Sequence, residues 1–169
     1  TGHIPVTDIN KYINEDYISE KFDLFINSLK KDFKINNPKI AVLGLNPHSG
    51  EDGLLGKEEK DIIKPLMNKF NKNSNQFFGP YSSDSFFGLK TYKKFDGVIS
   101  FYHDQGLVGF KSISFDSGVN YTSGLPIIRS SPDHGTAFNI AGKGIANELS
   151  LLNSILLNIE VFDNRKFNK

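Results

Sequence analysis

Three histidines are placed where they could bind a divalent metal ion. His3 lies in the opening TGHIPV, His48 in GLNPHSG and His103 in SFYHDQG, all turns rich in glycine or proline, and we expect none of them in a helix. Three imidazole nitrogens suit zinc, cobalt, nickel or iron and leave coordination positions open for a substrate. The alternative is that each is an ordinary loop histidine, and the spacing alone leaves both interpretations open.

A second segment, PDHGTAFNIAGKG, could bind a phosphate group or a ribose. Asp133-His134-Gly135-Thr136 precedes a predicted helix whose first amides attract anions, and Thr136 is its expected N-cap. Its glycines permit close approach of the backbone to a ligand. A glycine-rich turn that only redirects the chain would give the same pattern. Neither a G-x-G-x-x-G sequence nor a P-loop is present, so the standard nucleotide fingerprints do not apply.

The elements that must position these residues alternate between helix and strand. Apolar residues at helical spacing predict helices over residues 7–33, with Thr7 or Asp8 as N-cap, over 56–71, and over most of 135–162. Short apolar runs predict strands within PKIAVLGLNP, FDGVISFYHDQG and IIRSSP. The alternation predicts an α/β fold with a mostly parallel sheet and flanking helices.

The predicted sheet explains why polar residues cluster where strands end. Ligands of parallel sheets bind beyond the carboxyl ends of the strands. His48 and His103 each follow a predicted strand, and His3 lies near a third possible strand end. We therefore expect the three histidines to meet at one edge of the sheet.

Composition excludes several classes of protein. The net charge of +1 gives no basic face for nucleic acid, and no apolar run approaches the roughly 18 residues of a membrane span. The chain has no cysteine, which excludes disulfides and thiolate metal sites and agrees with a cytoplasmic location. Fifteen phenylalanines among 169 residues supply the bulk for a core.

Five strings of the sequence together resemble a known family. They are GHIPVTDI, GLNPHSGEDGLLGKEE, GPYSSDSFF, YHDQGLVGFK and GVNYTSGLPIIRSSPDHGTAFNIAGKG, in that order between His3 and about Ser150. This combination resembles the 4-hydroxythreonine-4-phosphate dehydrogenases, which make precursors of pyridoxal 5'-phosphate. The segment HGTAFNIAGKGIAN is also similar to the adenine-binding loop of isocitrate and isopropylmalate dehydrogenases, which share the fold.

The resemblance implies a reaction and a set of site residues. It implies that NAD or NADP oxidises 4-phosphooxy-L-threonine and that CO2 is then lost. It also implies one divalent metal ion per site, which would be zinc, cobalt or magnesium. It implies that His3, His48 and His103 bind the metal and that Lys111, Asn120 and Arg129 bind the substrate. Asp84, Asp104 and Lys111 would lie beside the metal or act in catalysis. The cofactor would be bound by His134, Gly135, Thr136 and Ala137. Asp104 and its neighbour Gln105 would orient groups around His103.

The resemblance also implies an organisation for the chain. It places a metal-binding and dimerisation domain in residues 1–109 and, in 110–169, the C-terminal part of a first domain whose N-terminal part is absent. Family members are about twice this length, so we expect a C-terminal portion that is inactive alone. The implied partners are a small phosphorylated amino-acid substrate and a second copy in a homodimer that shares its sites, with neither nucleic acid nor membrane. Asn139 departs from the related dehydrogenases, which carry an acidic ribose-binding residue there.

Two alternatives remain at this point. The chain could be a non-catalytic fragment that binds metal or phosphate without turnover. It could also be a metal-dependent phosphate-ester hydrolase or an aldolase that uses the same histidines. The adenine-loop string disfavours hydrolysis, since hydrolysis needs no nucleotide.

Overall fold

The structure, a computed structural model, describes residues 1–72 and 76–166. Within these residues the helices are α1 (Glu15–Lys31), α2 (Lys64–Asn71), α3 (Ser83–Gly88), α4 (His103–Ser114) and α5 (Leu149–Lys166). The strands are β1 (Ile40–Leu43), β2 (Phe77–Tyr81), β3 (Gly97–Ile99), β4 (Val119–Tyr121) and β5 (Ser130–Pro132). Shorter 3-10 turns cover Val6–Tyr12, Pro47–Gly53, Thr91–Lys94 and Phe138–Ile140, and a π-type turn, Glu59–Ile63, leads into α2.

A three-stranded parallel sheet with β1 at its centre forms the middle of the fold. The strand order is β2-β1-β3, and Ile40 of β1 pairs with Phe77 on one side and Gly97 on the other. Parallel neighbours need crossover connections, which α2 and α3 provide. All four residues of β1 are buried, as a strand covered on both faces requires. The predicted α/β fold with a parallel sheet and flanking helices is confirmed.

The larger part of the core lies between this sheet and α1. Phe22 of α1 is fully buried and stacks on Phe77 of β2 with ring centroids 4.3 Å apart. Leu66 and Met67 of α2 pack into the same cluster. Burial of a phenylalanine side chain contributes about 1.5–3 kcal/mol. This packing holds the sheet whose carboxyl edge carries the candidate residues.

The start of the first helix differs from the predicted one. Residues from Val6 to Tyr12 form a 3-10 turn, and α1 begins only at Glu15. The N-cap is Asn14, whose backbone is extended and whose side chain accepts a 2.9 Å hydrogen bond from the Tyr17 amide. The prediction of Thr7 or Asp8 as the cap was therefore wrong. The apolar spacing looked like one continuous helix because the 3-10 turn and α1 both bury apolar residues in the same core cluster.

The last helix also starts later than predicted. The predicted helix over 135–162 is confirmed only from Leu149 onward. Ala137, Gly142 and Gly144 all have positive φ values, between 49° and 74°, which a right-handed helix cannot contain. Thr136 therefore caps no helix, because the only helical element close behind it is a short 3-10 turn.

Strands β4 and β5 form a separate antiparallel pair. This pair departs from the predicted run of parallel strands and packs against α5, which buries Ser150, Ser154 and Val161. The opposite side of α5 is apolar and about half exposed, and we call it the α5 apolar face; it comprises Leu151, Leu152, Ile155, Leu156, Ile159 and Phe162. None of the described helices is both long and apolar enough to cross a membrane.

A buried ion pair connects α5 to Asp32, the residue that follows α1. Arg165 contacts the Asp32 carboxylate through two nitrogens, at 2.7 and 3.2 Å, and Asp32 is 2% exposed. The hydroxyls of Tyr121 and Ser28 also donate to this carboxylate, at 2.8 and 3.0 Å. Burial opposes ionisation, but these hydrogen bonds outweigh it and lower the pKa of Asp32. Burial and the bond to Asp32 raise the pKa of Tyr121 to about 12.

The predicted division of the chain between residues 109 and 110 falls inside α4. It remains a prediction, and residues 73–75 and 167–169 of its two parts lie outside the described residues.

Candidate functional site

Candidate residues follow each strand of the parallel sheet at its carboxyl end. His48 comes after β1, Asp84 after β2, and His103 after β3. His48 and His103 thus follow strands as predicted, and Asp84 follows a strand that the sequence did not predict. His103 is the first residue of α4, so the prediction that no histidine lies in a helix was wrong. Tyr102 before it is extended, and Asp104 in the first turn complements the helix dipole.

His3 and His103 lie against each other. Their ring centroids are 5.3 Å apart with the planes at 61°. The Thr1 hydroxyl donates to the Phe101 carbonyl and thereby attaches the first residues of the chain beside α4. His3 does not end a strand, because the first described strand begins at Ile40. It lies beside His103 because the Thr1 hydrogen bond holds the first residues of the chain there.

The Asp104 carboxylate determines which nitrogen of His103 is free. Nδ1 of His103 lies 2.7 Å from Oδ1 of Asp104. A carboxylate at this distance favours the tautomer with the proton on Nδ1, so that the Nε2 lone pair is available to a ligand. This is the arrangement expected of a metal-binding histidine.

His48 lines a cavity of about 250 Å³ that is also lined by Asp84 and Tyr102. Hydrogen bonds from the Ser82 hydroxyl, at 2.7 Å, and from the Ser85 amide lower the pKa of Asp84, and His48 adds a smaller effect in the same direction. Among the described residues no three histidine, aspartate or glutamate side chains gather as a metal-binding group. The chain brings His3 to His103 and His48 to Asp84, and convergence of all three histidines stays a prediction.

Gln105 ties the strand ends together. It is buried, its Oε1 accepts from the Phe101 amide at 2.7 Å, and its Nε2 donates to the Gly44 carbonyl and, at 2.8 Å, to the Ser83 hydroxyl. These partners belong to the segment after β3, the end of β1 and the start of α3. An amide can serve all three because it carries both an acceptor and two donors. These contacts hold the strand ends next to His103, and an orienting role of Gln105 around His103 itself stays a prediction.

A second cavity, of about 470 Å³, joins the histidine pair to the C-terminal segment. His3, His103, Asn120 and Asp133 all line it. Nζ of Lys111 donates to the Asp133 carbonyl at 3.2 Å and lies 3.5 Å from its carboxylate. Of the three predicted substrate residues, Asn120 thus lines the cavity of the histidine pair, and Lys111 contacts Asp133, which also lines it.

The third predicted substrate residue, Arg129, is placed differently. Its guanidinium donates to the Thr122 hydroxyl at 2.7 Å, and its side chain is exposed. It is not among the residues that line the cavity of the histidine pair. A role in substrate binding therefore stays a prediction.

The segment expected to bind the cofactor is open to solvent. Nδ1 of His134 contacts the Gly135 carbonyl at 3.0 Å, and both residues are exposed, as is Thr136. A Cβ added at Gly135 would meet no atom within 4 Å. A ligand could approach the backbone here freely, and the assignment of His134, Gly135, Thr136 and Ala137 to the cofactor remains a prediction.

The loop that carries His48 has an unusual backbone. Residues from His48 to Asp52 have positive φ values between 44° and 77°, five in succession, and only Gly50 among them is a glycine. A left-handed conformation costs about 1–2 kcal/mol for each non-glycine residue. We call this segment the left-handed turn. Such strain persists only where surrounding contacts impose it, and it concentrates at functional sites.

A buried contact beside this turn was not predicted from the sequence. Glu59 is 1% exposed, and its carboxylate accepts hydrogen bonds from the backbone and side-chain nitrogens of Asn46, at 2.7 and 3.0 Å. In the sequence, Glu59 is an acidic residue near the start of the predicted helix over 56–71, where a negative charge suits the helix dipole. The glycines at 50 and 56 were the available signal, since a glycine often marks a special φ value or a close approach.

Comparison with known proteins gives the chain a family. Residues 1–158 match the family described as "Pyridoxal phosphate biosynthetic protein PdxA". The chain belongs to the PdxA family. It is 50% identical over all 169 residues to the 4-hydroxythreonine-4-phosphate dehydrogenase of Bacteroides thetaiotaomicron, and 43% identical over 165 residues to that of Prosthecochloris aestuarii. It covers 46% and 48% of these relatives, so the chain spans about half the length of the curated relatives it matches.

Solved structures agree with the PdxA assignment. The 4-hydroxythreonine-4-phosphate dehydrogenase of Klebsiella pneumoniae matches with a TM-score of 0.79 and 37% identity, over 95% of this chain and 48% of that one. A terephthalate 1,2-cis-dihydrodiol dehydrogenase of Burkholderia xenovorans matches with a TM-score of 0.72 and 27% identity, over 93% of this chain and 50% of that one. The PdxA fold is therefore shared with a dehydrogenase that acts on a different substrate.

Proposed function

We propose that this PdxA-family chain carries the metal-binding part of an enzyme that oxidises 4-phosphooxy-L-threonine with NAD or NADP and releases CO2. The observation that carries the proposal is the pairing of His3 with His103 beside Asp104, in one cavity with Asn120. The product would be 3-amino-2-oxopropyl phosphate, a precursor of pyridoxal 5'-phosphate. The relatives named for this activity support the choice of substrate.

The donor atoms fit a divalent ion. Nε2 of His103 is free while Asp104 holds Nδ1, and the ring of His3 is close enough to share a ligand with it. A bound zinc, cobalt or magnesium ion would lower the pKa of the substrate hydroxyl and stabilise the negative charge left by departing CO2. His48 is the proposed third ligand, and a second copy of the chain in a homodimer would allow a set shared between subunits.

The remaining residues have proposed roles around the substrate. Lys111 and Arg129 would supply fixed positive charge to its phosphate or carboxylate, and Asn120 would donate a hydrogen bond. Nζ of Lys111 and the carboxylates of Asp84 and Asp104 are the proposed acid–base groups, since each lies at or beside one of the two histidine-containing cavities. The exposed segment from His134 to Ala137 would bind the adenosine part of the cofactor.

A chimera tests this function directly. Residues 1–169 would replace the matching segment of the Bacteroides thetaiotaomicron relative, which aligns with the whole of this chain. We expect the chimera to form NADH from NAD and 4-phosphooxy-L-threonine in the presence of a divalent ion. The matched control is the same chimera with Lys111→Ala. A folded chimera that is as inactive as its control would contradict the proposal.

A second candidate is that the chain alone binds metal or phosphate without turnover. The exposure of the candidate residues, and the separation of His48 from the histidine pair, favour this for a single isolated chain. Hydride transfer needs the nicotinamide and the substrate carbon held within about 3–3.5 Å. NADH formation by the isolated chain within about tenfold of the chimera would exclude this second candidate.

The contribution of Arg129 can be measured in the chimera. We expect Arg129→Ala to raise KM for the phosphorylated substrate strongly and to leave the metal content unchanged, because loss of a charged contact to a ligand costs about 2–5 kcal/mol. Thr122→Val is the matched control, since it removes only the hydroxyl that Arg129 contacts in the structure. Near-normal kinetics in Arg129→Ala would assign this side chain to the surface.

A further inference from the structure

We propose that Glu59 is a positioning residue that holds His48 in place by imposing the left-handed turn. The inference rests on the proposed function, in which His48 is a metal ligand. Glu59 touches neither His48 nor the cavity beside it, and acts through Asn46 two residues earlier.

The hydrogen bonds give the mechanism of positioning. Oε1 of Glu59 accepts from the Asn46 backbone amide at 2.7 Å, and Oε2 accepts from Nδ2 of the same residue at 3.0 Å. Asn46 is thereby held at both its backbone and its side chain. Its carbonyl in turn accepts from the Ser49 amide at 3.1 Å, which closes the turn around His48.

The glycines show how closely the turn wraps around this carboxylate. A Cβ on Gly50 would lie 2.6 Å from Oε2 of Glu59, and one on Gly56 would collide with the side chain of Asn46. Gly50 also has a φ of 77°, in the region that suits glycine. The space around Glu59 is therefore complementary to the turn, and little can shift without loss of the hydrogen bonds.

Stability alone does not account for a carboxylate at this place. Glu59 is 1% exposed, and no ion pair within the described residues includes it. Burial of a carboxylate is unfavourable unless its hydrogen bonds compensate. An apolar side chain would fill the volume, but it could not accept from both nitrogens of Asn46. What the carboxylate adds is a fixed geometry for the turn and hence for the imidazole of His48.

The test compares Glu59→Gln with Glu58→Gln in the 169-residue chain. Glu59→Gln keeps the shape but turns one acceptor into a donor that faces Asn46. Glu58 contacts only the Asn46 side chain, at 2.7 Å, so Glu58→Gln is the matched control. We expect Glu59→Gln to speed hydrogen exchange of residues 46–53 at least about tenfold while β1 stays protected. Cobalt binding should weaken about 10- to 100-fold with a changed visible spectrum, as on loss of an outer-shell partner.

Unchanged exchange over residues 46–53 in folded Glu59→Gln would overturn the inference. If that variant does not fold, Asn46→Ala is compared with Glu58→Gln, since Asn46→Ala removes the side-chain bonds to both Glu58 and Glu59. Exchange no faster in Asn46→Ala than in Glu58→Gln would overturn the inference equally. His48→Ala separates the two proposals. If it leaves the cobalt spectrum unchanged, His48 is no ligand and the proposed function loses that residue, while the exchange data still decide what Glu59 does.

Discussion

Replacement of His103 by alanine should lower the zinc affinity of the chain by more than about 100-fold. Loss of a direct ligand exceeds the roughly 10- to 100-fold effect of losing an outer hydrogen-bond partner. Asp104→Asn should fall within that smaller range, because it removes the charge that holds Nδ1 of His103. Calorimetric titration with zinc measures both affinities, and NADH formation by the chimera gives the corresponding loss of activity.

His134→Ala is the control for this metal measurement. His134 is exposed and contacts the Gly135 carbonyl, and it is absent from the cavity of the histidine pair. We expect it to leave zinc affinity unchanged. An equal loss of zinc binding in the His103 and His134 variants, or none in either, would refute the assignment of His103 as a ligand.

The second large effect should follow from Arg165→Met. This change leaves the Asp32 carboxylate buried with only the hydroxyls of Tyr121 and Ser28 as side-chain partners. Breaking a buried ion pair from one side costs about 3–5 kcal/mol of unfolding free energy. Arg129→Met is the matched control, because Arg129 is exposed and should change stability by no more than about 0.5 kcal/mol. Urea denaturation followed by circular dichroism measures both.

The pH dependence checks the same ion pair independently. The pKa of Asp32 is lowered in the folded chain, so the stability it contributes is fully present above the unfolded value, about 3.9, and is lost as pH falls through the folded value. Arg165→Met should remove part of this acid-sensitive stability. The difference in unfolding free energy between the two proteins should therefore shrink below about pH 4. A difference that stays constant down to pH 2 would show that Asp32 is not the partner that matters.

Periodicity predicted β1 and β3 of the central sheet, but β2 (Phe77–Tyr81) was not predicted, because Gly79 and Pro80 interrupt its apolar run. β1 has four buried residues closed by a turn, and burial dictates such a pattern whatever the rest of the fold. The starts of helices were harder to predict because they depend on single residues, through one capping hydrogen bond or one φ value, and not on the apolar spacing. Asn14 caps α1 although the apolar spacing begins earlier, and the positive φ of Ala137 ends any helix before Phe138.

That His48 and His103 follow strands could be predicted from the sequence, whereas the contacts that hold the candidate residues in place could not. Histidines after strands are visible in a sequence, and the structure places His103 and His48 at the expected edge of the sheet. The role of Glu59 depends on a contact across 13 positions of sequence and on a run of positive φ values in which four of the five residues are not glycine, so Gly50 and Gly56 mark the turn but do not reveal the contact. The contact between His3 and His103 spans 100 positions and depends on how the first residues lie against α4.

The α5 apolar face should affect how the chain behaves in concentrated solution. Six half-exposed leucine, isoleucine and phenylalanine side chains on one helix make a surface that is prone to self-association. Sulfate and phosphate salts strengthen this attraction, and cooling weakens it. Light scattering of the chain should therefore rise with ammonium sulfate and fall in the cold. Low protein concentration and low salt are the conditions in which the intrinsic affinity of a single chain for metal can be measured.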